Sequence, residues 1–225
     1  MKKIFAISLL SLFFMFNACK KDNENPPPTP PKVTDVDGNV YNSVVIGSQT
    51  WMKENLKTTR YRDSTAIPTG LDSATWRNTT SGAYTIYDND TANNTIYGKL
   101  YNWYAVADPR NLCPTGWHVP TDAEFTQLTD YLGGEAVAGG KMKATTLWNS
   151  PNEGATNSSG FSALPGGLRN NYGNYNNIGD NGYFWSATES TGNSAWDRYL
   201  YFSYIDAPRY DTYQAAGFSV RCVKD

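Results

Sequence analysis

The side chains able to do chemistry are few, and they are poorly grouped for catalysis. His118 is the only histidine in 225 residues, so neither a catalytic triad nor a histidine-pair metal site can be built. It stands between Trp117 and Val119-Pro120 and reads as a packed, hydrogen-bonded structural histidine. Asp122 and Glu124 sit where a helix N-terminus favours carboxylates. Glu153, Asp180, Glu189 and Asp197 are scattered, without the paired spacing that acid–base work requires. Gly133-Gly134, Gly139-Gly140 and Gly166-Gly167 lack the lysine and the strand–loop–helix context of a phosphate cradle, and read as helix stops and turns. No enzyme activity, cofactor or metal is expected.

The three cysteines carry more information. Met1-Lys2-Lys3 is a basic start, Ile4 to Phe16 is an uncharged apolar run of thirteen residues, and Asn17-Ala18-Cys19 follows. That run is shorter than the roughly 20 residues a spanning helix needs and has the layout of a secretory signal. A cysteine directly after the small residue is what a lipoprotein signal peptidase site requires, so residues 1–18 are expected to be removed and Cys19 lipidated. Residues 19–32 hold five prolines among polar and charged residues and read as an extended, solvated tether. Export places Cys113 and Cys222 in an oxidising compartment as an even pair. Cys222 falls in phase with Phe218 and Val220 on a last strand, Gly217 to Val223, with Ser219 and Arg221 assigned outward. A disulfide is expected there, against two buried free thiols or an incomplete metal site.

Residues 33–225 suffice for one domain. Loss of Lys2 and Lys3 leaves 17 basic against 21 acidic residues, which excludes a nucleic-acid partner. Seven Trp and sixteen Tyr among many Asn, Gly, Ser and Thr residues suit a loop-rich exported domain. The elements that must position these residues are mixed. Asn39 to Ile46, after the Asp37-Gly38 turn, and Gln49 to Leu56 read as paired strands. Gly98 to Ala107 places Leu100, Trp103, Tyr104 and Ala107 on one helical face, ending at Asp108-Pro109. A second helix starts at Thr121, which with Glu124 forms a capping box; it buries Phe125, Leu128 and Leu132 and stops at Gly133-Gly134. Tyr183 to Ala187 and Arg198 to Ile205 are further strands. The class is α+β, with two helices, antiparallel strands and chain ends that meet in one sheet.

Several blocks then occur in order: Asp37-Gly38-Asn39-x-Tyr41, Gln49-Thr50-Trp51-Met52-x-Glu54-Asn55-Leu56, Tyr97-Gly98-x-Leu100-Tyr101-Asn102-Trp103, Cys113-Pro114-x-Gly116-Trp117-His118-Val119-Pro120, Gly160-Phe161-Ser162-Ala163-Leu164-Pro165-Gly166-Gly167-x-Arg169 and Ser219-Val220-Arg221-Cys222-Val223. Together they resemble the Fibrobacter succinogenes major paralogous domain of exported bacterial proteins and lipoproteins. The resemblance implies a C-type-lectin-like fold with long loops and a terminal disulfide, distantly similar to formylglycine-generating enzyme, and implies no agreed activity. Those enzymes use a cysteine pair for redox chemistry, and the pair here is assigned to the bridge.

The best binding signal is Arg169 to Tyr183, with six Asn and three Tyr, at the place where lectin-like folds carry a ligand-binding loop. Asn171, Asn174 and Asn176 have the chemistry to hydrogen-bond sugar hydroxyls, and Tyr172 and Tyr175 to stack on sugar faces. Asn and Gly also build ordinary turns. The Glu-Pro-Asn, Gln-Pro-Asp and Trp-Asn-Asp motifs of calcium lectins are absent, and Trp196-Asp197-Arg198 does not replace them. Asp63-Ser64-Thr65, Asp72-Ser73-Ala74 and Asp90-Thr91-Ala92 resemble the O-glycosylation acceptor of exported Bacteroidota proteins, marking Ser64, Ser73 and Thr91. Lys20-Lys21-Asp22-Asn23-Glu24 resembles that lineage's acidic lipoprotein export signal to the outer face of the outer membrane. A non-catalytic, lipid-anchored surface module that binds glycan or protein is the expectation, against a structural subunit of an envelope complex. Cys19→Ala is expected to leave an unlipidated precursor and to move the protein out of the membrane fraction. Radiolabelled palmitate entering that variant would refute the anchor.

Overall fold

The computed structural model describes residues 32–225. The expected signal peptide, the expected lipidation at Cys19 and almost all of the expected tether fall outside the described residues. Among the described residues the chain forms β1 (Val33–Thr34), β2 (Val40–Tyr41), β3 (Ser43–Ile46) and β4 (Gln49–Met52), then α1 (Ser73–Asn78), β5 (Tyr84–Thr85), α2 (Thr91–Tyr97), β6 (Leu100–Asn102) and α3 (Trp103–Val106). It continues through β7 (Trp117–His118), α4 (Asp122–Tyr131), α5 (Glu135–Met142), β8 (Gly166–Arg169), β9 (Tyr175–Ile178), β10 (Asn181–Glu189), β11 (Ser194–Tyr201), β12 (Arg209–Tyr213), β13 (Gly217–Phe218) and β14 (Val223–Lys224). The α+β class holds, with five α-helices among the described residues rather than two, and with mostly antiparallel pairing; β8 and β10 pair in parallel. No described helix is long and apolar enough to cross a membrane.

The chain ends meet in a four-stranded sheet of order β3-β4-β14-β7, where Val223 pairs with both Trp51 and His118. The larger sheet runs β12-β11-β10-β8-β13-β6-β5, with β9 on β8. Cys113 and Cys222 are bonded, with Cα atoms 6.0 Å apart and a separation of 109 positions in the chain. Closing a loop of that length contributes about 4–5 kcal/mol in the chain-entropy picture.

The capping box is present as expected: Thr121 Oγ1 accepts from the Glu124 amide at 3.2 Å and Glu124 Oε2 accepts from the Thr121 amide at 2.7 Å. The helix expected over 98–107 is not formed. Residues 100–102 instead extend β6 against β13, and Asn102 then caps a single turn, α3, by accepting from the Ala105 amide at 3.1 Å. Leu100, Tyr101, Asn102 and Trp103 are all buried while Ala107 is exposed, so the apparent helical face was a buried run with no outside. Gly139-Gly140 is a second correction, since both residues lie inside α5. A Cβ on Gly139 would sit 1.8 Å from the Asp206 carbonyl oxygen, and one on Gly140 2.6 Å from that of Gly154. These glycines admit neighbouring backbone; they do not end a helix. Gly166-Gly167 likewise forms β8. The strand expected over 198–205 runs earlier, from 194 to 201.

The last segment departs furthest from expectation. Ser219 and Arg221 do not face outward, because every residue from Ala216 to Val223 is buried. The segment threads between a core that includes Met52, Tyr101, Trp185 and Phe218 and another that includes Trp51, Phe125, Phe161 and Phe184. Arg221, with no exposed surface, donates from Nη2 and Nε to Asn55 Oδ1 at 2.7 and 3.2 Å, and from Nη1 to the carbonyls of Met52 and Phe161. Its guanidinium lies 4.4 Å from the Phe161 ring centre. Arg221→Ala is expected to cost about 3–5 kcal/mol, from a cavity and three stranded acceptors. Arg221→Lys recovers little of that, since a point-charge ammonium cannot span the same three acceptors. Urea denaturation checks this, and a lysine variant as stable as the native domain would contradict it.

Candidate functional site

The segment read as a binding loop is an ordered hairpin. β8 and β9 pair Leu168 with Asn176 and Arg169 with Tyr175. Asn170 fixes the turn: its Oδ1 accepts from the amides of Tyr172 and Asn174, both at 3.0 Å, and its own amide donates to the Asn174 carbonyl at 2.8 Å. The five candidate residues consequently part company. Asn174 and Tyr175 line a groove of about 770 Å³ against the start of α1, with Leu71, Asp72, Ser73 and Arg169. Asn171 lines a different hollow of about 340 Å³, with Arg77, Asn193 and Tyr213. Tyr172 is 56% exposed, its ring 5.0 Å from the Arg77 guanidinium. Asn176 is exposed and accepts from Asn170 Nδ2 at 3.1 Å.

Tyr175 is not free to stack on a ligand with both faces. Its hydroxyl is hydrogen-bonded to Thr85 and Asn89. Its ring lies 5.3 Å from that of Tyr87 and 5.2 Å from the Arg169 guanidinium. Arg169 is buried under the groove, donating to the carbonyls of Gly173 (3.1 Å) and Leu71 (2.9 Å) and stacked on Trp76 at 4.4 Å. Burial draws its pKa below the usual arginine value.

The three acceptor triplets acquire a folding role. Asp72 caps α1 by accepting from the Thr75 amide at 2.7 Å, Asp90 caps α2 by accepting from the Ala92 amide, and Asp63 accepts from the Thr65 amide in a turn. Ser64, Ser73 and Thr91 are themselves exposed. Ser73 Oγ donates to the Gly173 carbonyl at 3.3 Å, and the residue is part of the groove wall.

His118 bridges two carboxylates, Asp225 on Nδ1 at 2.7 Å and Glu124 on Nε2 at 2.8 Å, so it fastens the last residue to the cap of α4. Burial lowers its pKa, but the two carboxylates outweigh burial and hold it above the ordinary value. Asp180, Glu189 and Asp197 have separate partners in Asn149, Gln214 and Thr212. Among the described residues no group of three or more His, Cys, Asp or Glu could hold a metal.

One site was not foreseen. Asp197, Tyr199, Tyr183, Tyr210 and Thr212 line a cleft of about 300 Å³ on one face of β10, β11 and β12. Asp197 is only 1% exposed. Its Oδ2 accepts from Thr212 Oγ1 at 2.7 Å, while its buried Oδ1 meets no donor among the described residues. Burial raises its pKa to about 7, against lowering by the Thr212 bond and by Arg198. Its neighbour Arg198 points through the sheet to Thr126 (2.7 Å), Asp122 (3.4 Å) and Glu135 (3.4 Å). The signal available in sequence was the period-2 spacing of Asp197, Tyr199 and Tyr201 beside Tyr210 and Thr212.

These features define a loop-rich α+β domain, closed by a disulfide, whose sheet ends join its termini. The chain belongs to the Fibrobacter succinogenes major domain family, whose model matches residues 44–224. No curated protein and no solved structure matches it.

Because Asp197 holds its proton more tightly when folded than when unfolded, that proton stabilises the fold fully below about pH 4, and the gain is lost as pH rises through about 7. Asp197→Asn removes this dependence. At pH 8 the variant is expected to be more stable than the native domain by up to about 4 kcal/mol, and at pH 4 nearly equal to it. Melting curves of both proteins that keep the same separation at pH 4 and pH 8 would overturn this.

Proposed function

We propose that this chain is an exported lipoprotein, held at the outer membrane through Cys19 and exposed at the cell surface, whose domain is a non-catalytic, C-type-lectin-like binding module. The recognition face is the β8–β9 hairpin and the groove beside it, and the ligand is a glycan or a glycan-bearing protein surface. One observation carries the reading. The turn is fixed internally by Asn170, yet it presents Tyr172, Asn171 and Asn174 outward between two polar hollows. A preordered turn lowers the entropy cost of binding, and an exposed tyrosine beside amide side chains suits sugar rings and their hydroxyls.

A structural role in an envelope complex has its own support. β12 is the edge of the large sheet, and Tyr210 and Tyr213 on it, with Tyr204 nearby, are exposed. An open edge with aromatic side chains can pair with a second chain, although Arg209 and Asp211 moderate it.

A glycan array probed with the soluble domain is expected to select a ligand. Tyr172→Ala should weaken its binding roughly 30-fold without shifting the melting temperature. Tyr175→Ala is expected to lower that temperature, because its hydroxyl and ring are built into the packing around Thr85 and Arg169. Trp103→Ala and Trp117→Ala should unfold the domain outright. Unchanged binding by Tyr172→Ala would exclude the hairpin as the site. Capture of an envelope protein in place of any glycan would favour the assembly role.

A further inference from the structure

We propose that the tyrosine-lined cleft over Asp197 is a second binding site, and that it takes the primary ammonium group of a small organic amine. It shares none of its lining residues with the groove beside the hairpin, so it stands apart from the glycan reading.

The aromatic walls and the carboxylate call for different properties in a ligand. The Tyr183 and Tyr199 rings lie 5.1 Å apart, and the Tyr199 and Tyr210 rings 5.8 Å apart at 82°, so two rings make a corner and a third extends one side. Aromatic faces carry negative charge density and attract cations, most strongly where water is excluded. Asp197 is one of the residues lining the cleft, and its Oδ1 is buried without a donor among the described residues. A buried acceptor left unbonded is costly, and a buried carboxylate without a counter-charge is costlier. An N–H donor that also bears positive charge satisfies both.

The two cationic side chains of β10, β11 and β12 are engaged elsewhere. Arg198 is committed to Thr126, Asp122 and Glu135 on the opposite side of the sheet. Arg209 pairs with Asp122 at 2.9 Å and lies 3.4 Å from the Trp196 ring centre. Asp211 is paired in register with Trp196, and so faces the same way. Other occupants fit less well. A calcium ion takes six or more oxygen ligands, and the cleft offers one carboxylate, one threonine hydroxyl and phenols. A neutral hydroxyl could bond Oδ1 but would leave its charge uncompensated. A quaternary ammonium would compensate the charge but has no hydrogen to give.

Three probes of similar size separate these properties: n-butylammonium has charge and donor, tetramethylammonium has the charge without a donor, and 1-butanol has a donor without the charge. In calorimetric titration of the full chain at pH 8, butylammonium is expected to bind at least about tenfold more tightly than butanol, with tetramethylammonium between them. Asp197→Asn should reduce the difference between butylammonium and butanol to what the aromatic walls alone supply. Tyr210→Ala, at a 54% exposed position on the edge strand, should weaken butylammonium about fivefold while the fold is kept. Tyr172→Ala should change nothing here, which separates this site from the hairpin. Butanol binding as tightly as butylammonium, absence of butylammonium binding, or an unaltered preference in Asp197→Asn would each overturn the proposal. Tetramethylammonium binding as tightly as butylammonium would overturn the assignment to a primary amine.

Discussion

Arg221 is a full positive charge placed where two hydrophobic cores adjoin, and most of the architecture can be traced to the means of accommodating it. A guanidinium has five N–H donors in a fixed plane, and stranding them in an apolar interior costs several kcal/mol. Its acceptors come from places far apart in the chain: the Met52 carbonyl at the end of β4 and the Asn55 side chain just after it, and the Phe161 carbonyl in the stretch between α5 and β8. Asn55 in turn donates to the Tyr97 carbonyl at 2.9 Å and to Ser219 Oγ at 3.1 Å. The charge is therefore tolerated only when the N-terminal hairpin, the end of α2, the middle stretch and the C-terminal segment have all arrived. The disulfide at Cys222 then fixes the adjacent residue.

The same device recurs. Lys143, fully buried, donates to the carbonyls of Tyr201 at 3.0 Å and Tyr204 at 2.8 Å. Arg169 donates to those of Gly173 and Leu71. In each case a buried cation meets backbone oxygens, with no carboxylate among the hydrogen-bonded partners. A chain with short strands and long connections has many carbonyls that no ladder can satisfy, and each one buried must still find a donor. Long cationic side chains provide several donors from one position. Aromatic faces complete the enclosure, with Trp148 over Lys143, Trp76 over Arg169 and Phe161 over Arg221. The abundance of Trp, Tyr and Phe thus serves the irregular backbone as well as the core.

This arrangement explains which parts of the fold were legible in the sequence. The capping box at Thr121 and Glu124 rests on residues three apart, and so survives in any tertiary setting. The family blocks and the pairing of Cys113 with Cys222 likewise needed no geometry. Period-based inference failed where both sides of an element are covered. Leu100 to Trp103 is buried throughout, so a helical spacing there selects no face. Ser219 and Arg221 alternate with apolar neighbours, as solvent-facing residues would, but their alternate side is a second core. Asp197 was hidden for a related reason. Its phase with Tyr199 and Tyr201 is visible, whereas the burial that isolates its carboxylate depends on Thr212 and Tyr210 across the sheet.

The acceptor triplets show how one short pattern can answer to two demands. An aspartate before Ser or Thr at the start of a helix is favoured because its carboxylate takes an otherwise unpaired amide, and Asp72 and Asp90 do this whether or not a sugar is ever attached. The pattern alone thus carries no weight for modification; only the exposure of the following hydroxyl does. At Ser73 that hydroxyl already donates to the Gly173 carbonyl and forms part of the wall of the groove shared by Asn174 and Tyr175. A glycan linked there would fill the space in which the hairpin would hold a ligand. Ser64 lies on a separate turn and Thr91 at the start of α2, and neither lines that groove. Modification and recognition are therefore compatible at those two positions and mutually exclusive at Ser73.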